Sequence, residues 1–529
     1  EGRCLSYSKG VAYHPVMDIL KANFDIGETD GAQEVTEKVI KGLKILGIEA
    51  DATLPYLLEL LSVKESGIDK IPMSSEAKKD RILEAVKRIV LKGTELRPLI
   101  LAFEDLHWMD KSSEDVLKYV LESVPATKAL MILTYRPEFS PTWTVKSFHN
   151  QVTLNRLSNR ESLMMMSELI GTKEMDGDLE AMLLEKTEGV PFFIEEFIRS
   201  LNDLDIIERT DNLYYLAKDI EEAAIPVALQ DVIMARVDAL PDAAKEVLQI
   251  GSVIEREFSY ELIRRVTGLP EQELLSHLSA LRDAELLYER GIYPKSTYVF
   301  RHALTREVVY DLILTSKKKL LHLDVAHAIE EVYRRNLREY YEMLAGHYEA
   351  ADKYDKAARY WRLAEGKAER TGSFDSAIAY CQRRIASLEK LPRTEALERK
   401  ILDARVTLGF QCSTVNYLAK AKEAVEPIMG MVLESGDKWR LAQTYTIMGA
   451  CAFLSDADFG GAFRYLNDSL RISVEMRDEP SQLHALAYLG WASHLDGRLE
   501  QCLHHIENML NIGHSQNNAF AMSLAESLI

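Results

Sequence analysis

The 529-residue chain has no run of about 18 or more apolar residues, which excludes a membrane-spanning helix. It also lacks a surplus of positive charge: 64 Lys+Arg face 83 Asp+Glu, a net charge of −19. A protein that holds nucleic acid chiefly through its phosphates carries a basic surface, so nucleic acid is not an expected partner. The five cysteines, Cys4, Cys381, Cys412, Cys451 and Cys502, are odd in number and form no CxxC pair. That spacing excludes a disulfide frame and a cysteine zinc site, and points to packed, reduced thiols. There is no HExxH. No basic-then-apolar stretch with a small-residue cleavage site opens the chain, so secretion is not indicated and the expected compartment is the cytoplasm.

What is present is an ordinary globular mixture, 47% apolar and 28% charged. At roughly 100–200 residues per domain the length implies about three or four domains. The opening residues, Arg3-Cys4-Leu5-Ser6-Tyr7, read as the tail of a buried strand, and Ala519 to Ile529 is helical in pattern without a cap. The chain is therefore expected to be one part of a longer protein.

Two textures divide the sequence. Up to about residue 155, short apolar runs alternate with amphipathic helices. Leu99 to Phe103 and Ala129 to Tyr135 are continuous runs of the kind expected of strands buried on both faces. Ser112-Ser113-Glu114-Asp115 between them opens a helix through Glu122, since hydroxyls and acids suit a helix N-terminus. Strand, helix, strand at this spacing predicts a βαβ unit and a parallel sheet. From about residue 156 almost everything has helical period. The exception is Leu286–Arg290 and Thr297–Phe300, a hairpin that follows helices over 242–251, 259–267 and 271–285; that order predicts a winged helix. After Glu339 helical hairpins run to the end. Tyr465–Ile472 is echoed by His505–Ile512, and Gly449 by Gly490, after about forty residues, a period that means a helical solenoid of tetratricopeptide type.

The residues that could carry chemistry begin at the end of the first apolar run. Glu104 and Asp105 close it, where the C-terminal end of a parallel strand presents ligands. One carboxylate can hold Mg²⁺ through oxygen, and the next can orient or deprotonate an attacking water. An acidic pair in a solvated turn would look the same. Arg136 ends the next strand at the same edge and suits a terminal phosphate.

Leu99–Asp110, "LILAFEDLHWMD", and Met131–Glu138, "MILTYRPE", resemble the Walker B and sensor segments of the STAND signalling ATPases of the AAA+ group, especially the module attached to bacterial class III adenylate/guanylate cyclases and large transcriptional regulators. Three more segments match in order: Glu188–Glu196 resembles the GxP segment of the helical lid, Gln230–Pro241 the entry to the winged helix, and Phe300–Tyr310 the segment after the wing. The resemblance implies a P-loop ATPase core (1–155), a helical lid (156–222), a winged helix (223–338) and tetratricopeptide-like repeats (339–529). The fold class expected is multidomain and mainly α, with an N-terminal α/β part formed by a truncated P-loop sheet. The resemblance also implies ATP or ADP with Mg²⁺ as cofactor. Glu104 and Asp105 would hold the metal, with Asp105 catalytic. Arg136, Gly189, Pro191 and His302 would meet the nucleotide: Pro191 against adenine, Gly189 letting the backbone turn, His302 at the β-phosphate of a closed ADP state. Taken without the resemblance, His302 reads as a satisfied buried histidine.

One departure is plain. No GxxxxGK[ST] occurs; Gly366-Lys367-Ala368 is the only Gly-Lys pair and lies among the repeats. Without that phosphate-cradling loop these residues alone are expected to bind ATP weakly and to be inactive. The function implied is a nucleotide-dependent switch that regulates an output domain, with the repeats binding a protein partner. The alternatives are an interaction scaffold with an inert ATPase remnant and, lower, a DNA-gripping origin-recognition-type AAA+ protein.

Overall fold

The computed structural model describes residues 1–4, 11–68, 71, 73–144, 146–171, 174–203, 207–210, 213–216 and 229–515. The expected strand tail from Leu5 onward and the C-terminal helix at 519–529 lie outside the described residues. By the density of its internal packing the chain divides into two compact units, residues 1–144 with 333–529, and residues 145–332. Among the described residues no helix is long and apolar enough to cross a membrane.

The first unit contains the parallel sheet. Its strands are β1 (Gly2–Arg3), β2 (Leu99–Glu104) and β3 (Ala129–Leu133), in the order β1-β2-β3. Both pairings are parallel, with Arg3 opposite Glu104 and Phe103 opposite Leu133. The crossover from β2 to β3 is the helix Lys111–Leu121, so the βαβ unit is present. Two details differ from expectation. The helix starts earlier, because Asp110 and not a serine is the N-cap: its carboxylate accepts from the Ser113 amide at 3.0 Å. And the strands are not buried on both faces. Ile100, Leu130 and Ile132, which share one face of this sheet, are 68%, 56% and 45% exposed. The opposite face packs Phe103, Leu106, Leu117 and Leu121 with Cys4.

The same unit carries the helical repeats, from Tyr341 to Ser515. The pair Lys438–Leu454 and Phe459–Met476 is followed after about forty residues by Glu479–Leu495 and Leu499–Ser515, in agreement with the period of the sequence. Small residues set the approach of the helices. A Cβ on Gly449 would lie 2.6 Å from Leu466 Cγ, and one on Gly409 would lie 2.6 Å from Val425 Cγ1. At the same contact Ser469 donates to the Ala442 carbonyl at 2.8 Å and meets Thr446 at 2.7 Å. The architecture is that of a tetratricopeptide-like solenoid.

Polar anchors tie the first repeat to the N-terminal helices. Glu59 is fully buried and held by Arg338 and by Arg370 at 2.9 Å, with Ser66 at 2.6 Å. Burial alone would push its carboxyl up, but these partners hold it below the usual range. Lys367 and Glu342 form a second buried pair at 2.6 Å. All five cysteines are free and buried.

The second unit has two small sheets. β4 (Glu174–Met175), β5 (Ile207–Thr210) and β6 (Leu213–Leu216) form one, in the order β4-β6-β5. This sheet was not expected in a stretch whose period is helical; its strands are two to four residues long, too short for an alternating pattern to register. The other sheet comprises β7 (Glu257–Ser259), β8 (Leu287–Arg290) and β9 (Thr297–Phe300), all antiparallel in the order β7-β9-β8. With helices Asp242–Ile254, Tyr260–Thr267 and Glu271–Asp283 the order is helix, strand, helix, helix, hairpin, which is winged-helix topology.

Candidate functional site

Glu104 is the last residue of β2 and Asp105 the first beyond it. Asp105 takes the left-handed conformation, φ 59°, which turns the chain sharply off the strand. Thr134, just past β3, fixes that turn. Its hydroxyl accepts from the Asp105 amide at 3.1 Å, its carbonyl accepts from the Leu106 amide at 2.9 Å, and its own amide donates to Phe103 at 3.0 Å. The β3 end therefore clamps the β2 end, and the acidic pair sits on the C-terminal edge of the sheet. Glu104 is half exposed, with Arg3 of β1 at 3.7 Å. Arg136 lies exposed just beyond β3. The fold thus brings Glu104, Asp105 and Arg136 to one edge.

No group of three or more His, Cys, Asp or Glu side chains that could hold a metal ion occurs among the described residues. Two adjacent carboxylates with solvent access still fit Mg²⁺, which keeps several waters and takes one or two carboxylates along with phosphate oxygens. They do not fit a dehydrated structural ion.

A residue that sequence reasoning missed follows the pair. Asp110 is 3% exposed and accepts from the amides of Tyr13 and Ser113. Burial pushes its carboxyl up, against those hydrogen bonds. The Tyr13 hydroxyl in turn donates to the Thr371 carbonyl at 3.2 Å, and Ser112 meets Ser373 at 2.8 Å. The loop after the acidic pair is therefore bonded to the turn between the second and third repeat helices. An Asp before a Lys-Ser-Ser helix start was the available clue, since Asp is a favoured N-cap.

Gly189, Pro191 and His302 belong to the second unit. Gly189 has φ 71°, and a Cβ there would stand 2.2 Å from the Leu157 carbonyl oxygen. The Leu157 amide donates to the Gly189 carbonyl at 2.7 Å. Only glycine meets both demands, the left-handed backbone and the close approach. Pro191 then opens the helix Pro191–Asp203, where its missing N–H costs nothing.

His302 is the N-cap of the helix Ala303–Asp311, but its side chain makes no cap bond. Its ring lies on Phe192, with centroids 3.8 Å apart, next to Pro191 in sequence. Nε2 is 4.0 Å from Glu196 Oε1, and both atoms are buried without a hydrogen-bond partner. Burial lowers the imidazole to about 4; Glu195 opposes the shift, while Arg301, Arg199 and Arg256 add to it. The ring is neutral at neutral pH. Around it runs an ion-pair network: Glu196 with Arg236, Arg301 with Glu195 at 2.9 Å and with Glu285 at 2.5 Å, and Arg199 with Glu285 at 2.5 Å. The second unit therefore brings Pro191 and His302 together through Phe192. His302 is neither fully exposed nor satisfied.

These features define a class of chain: a small parallel sheet with carboxylates on its C-terminal edge, a winged-helix domain, and tetratricopeptide-like repeats. A family described as a domain of unknown function (DUF8739) matches residues 158–212. The curated uncharacterized protein R02095 of Rhizobium meliloti (strain 1021) is 23% identical over 380 residues, which are 69% of this chain and 35% of that protein. The chain thus spans about a third of the length of that relative. Among solved structures, the crystal structure of the Signal Transduction ATPase with Numerous Domains (STAND) protein with a tetratricopeptide repeat sensor, PH0952 from Pyrococcus horikoshii, is similar over 99% of this chain and 76% of that one. The identity is 14% and the TM-score 0.36.

Proposed function

We propose that this chain is the switch and sensor portion of a signalling ATPase, whose nucleotide state regulates an output domain such as a cyclase or a transcription regulator. The observation that carries the reading is the acidic pair Glu104–Asp105 on the C-terminal edge of the middle parallel strand, with Arg136 at the end of its neighbour. In this reading Glu104 and Asp105 hold Mg²⁺ with waters, Asp105 orients the hydrolytic water, and Arg136 meets the terminal phosphate. By the same resemblance Gly189, Pro191 and His302 of the second unit would meet adenine and the β-phosphate. Mg²⁺ supplies charge neutralisation of the phosphates when bound. The repeats take a protein partner on their exposed side chains.

The bonds from the Asp110 loop to the turn at Thr371–Ser373 support coupling between the acidic edge and the repeats. With no GxxxxGK[ST] among the 529 residues, hydrolysis requires a polypeptide that also supplies a phosphate-cradling loop. The test is ATP turnover and ADP binding by such a polypeptide and its Asp105→Asn variant. The variant should keep ADP binding and lose at least about tenfold in turnover. Turnover at the parent rate removes Asp105 from the mechanism. Absence of nucleotide binding by the parent favours the inert scaffold.

A further inference from the structure

Two non-glycine residues of the first unit stand in the left-handed conformation within one connected set of contacts. Asp105, at φ 59°, lies where the chain leaves the acidic edge, and Tyr13, at φ 62°, is the N-cap of the helix His14–Phe24. Such a backbone persists at aspartate or tyrosine only where the surroundings impose it. At Asp105 they act at both ends of one short loop. On the strand side the Thr134 hydroxyl accepts from its amide. Inside the loop the Trp108 amide donates to the Asp105 carbonyl and the Met109 amide to the Leu106 carbonyl, both at 2.9 Å. On the far side Asp110 ties the loop down, since its carboxylate accepts from the Tyr13 amide at 3.2 Å.

The Tyr13 end is in turn gripped by the repeats. Tyr13 is 1% exposed, and its hydroxyl donates to the Thr371 carbonyl at 3.2 Å. Ser112, in the first helical turn after Asp110, donates to Ser373 at 2.8 Å. Between those two contacts Gly372, φ 68°, brings the turn so near the helix Ser75–Leu96 that a Cβ would stand 2.6 Å from the Ser75 carbonyl oxygen. Only glycine permits that approach. We infer that the turn Thr371–Ser373 positions Asp105 through Tyr13 and Asp110. Docked, it holds the far end of the loop and with it the left-handed backbone at Asp105. Withdrawn, it frees that end, and the strained residue relaxes away from the sheet edge. The inference rests on the reading of Glu104–Asp105 as the metal-holding acids, and it adds the sign of the coupling. The repeats support the edge when docked, and a partner that draws the turn away disables it. In that reading Tyr13, Asp110 and Gly372 touch neither metal nor phosphate; they are positioning residues.

The experiment is amide exchange on the whole 529-residue chain, which needs no nucleotide. Gly372→Ala forces the turn off Ser75 without altering any atom of the Asp105 loop, and exchange at the Asp105 and Leu106 amides should rise about tenfold. Tyr13→Phe, which removes one hydroxyl, should raise it about fivefold and is the check should Gly372→Ala misfold. Gly436→Ala is the control: its φ is 65°, nothing lies within 4 Å of its Cβ, and both amides should exchange at the parental rate. Val116, Leu117 and Ile447 should keep parental exchange in every variant, which a general loosening would not allow. Where Asp105→Asn has been shown to slow turnover, Gly372→Ala should also lower kcat about tenfold at unchanged ADP affinity. Unchanged exchange at Asp105 and Leu106 in folded Gly372→Ala or Tyr13→Phe, or an equal rise at Val116 and Leu117, overturns the inference. Those exchange results do not depend on whether Asp105 is catalytic, so the inference and the reading it rests on fail separately.

Discussion

Gly189→Ala is the sharpest local perturbation the second unit offers. An alanine at φ 71° carries a left-handed backbone penalty of about 1–2 kcal/mol. Its methyl carbon would stand 2.2 Å from the Leu157 carbonyl oxygen, a backbone atom that cannot rotate away. Relief of that clash separates the two segments and breaks the 2.7 Å bond from the Leu157 amide to the Gly189 carbonyl, about 1 kcal/mol more. The loss is therefore about 3 kcal/mol locally, near a hundredfold in an opening equilibrium. Gly171→Ala in the same unit is the control. It has φ 82°, but nothing lies within 4 Å of its Cβ, so only the backbone term applies, about tenfold. A chain of several domains does not unfold in one step, so the assay is amide exchange of Leu157, Val190 and Ile194, not a global melt. Equal exchange at those amides in the two variants would refute the close-approach argument and leave Gly189 a turn glycine like any other.

Other outcomes follow from features already described. Arg236→Ala removes the hydrogen-bonded partner of Glu196, which is 1% exposed and would keep only Arg199 at 3.5 Å, and should destabilise the second unit by about 2–4 kcal/mol, whereas Glu196→Leu with Arg236→Met should cost far less; denaturant titration read by exchange in residues 194–201 decides. Gly449→Ala should cost about 1–3 kcal/mol in the repeats by overpacking on Leu466, with protection unchanged at β2; loss at both places would contradict nearest-neighbour packing of the solenoid. His302, lowered to about 4 when folded, gives stability that is full above the unfolded value of 6.5 and is lost as pH falls from there toward 4. His302→Gln should flatten that dependence; comparing it with the parent cancels the opposing titration of Glu255, whose carboxyl burial raises to about 8, and an unaltered pH profile would place His302 in water.

The parts legible in the sequence were those with long or punctuated patterns. The run Leu99–Phe103 ending in two acids placed β2 and its edge, and the spacing of Leu286–Phe300 placed the wing. The forty-residue echo placed the last two helix pairs. What escaped is set by tertiary contact. A continuous apolar run cannot say whether one sheet face is covered, and Ile100, Leu130 and Ile132 are not. Strands as short as Glu174–Met175 carry no period. Asp110 looks like any loop acid until Tyr13 is seen to bond to it, and Glu59 looks like a surface helix acid until Arg338 and Arg370, far along the chain, are found on it. The left-handed turn at Asp105 was equally invisible, although the two carboxylates it orients were read directly.

The five buried thiols have a practical bearing on how motion in this protein can be followed. Burial pushes every one of them up, Cys412 and Cys451 to about 11, so at neutral pH almost none is thiolate. The thiolate is the nucleophile that attacks maleimide dyes and thiol-reactive spin labels, and a thiol that is both enclosed and protonated reacts slowly with them. A cysteine introduced at an exposed position such as Arg290 would therefore label selectively against the native background. A second at Lys438 would complete a donor–acceptor pair, one dye on each compact unit. Fluorescence transfer between them could then be followed as nucleotide is added, with all five native cysteines left in place.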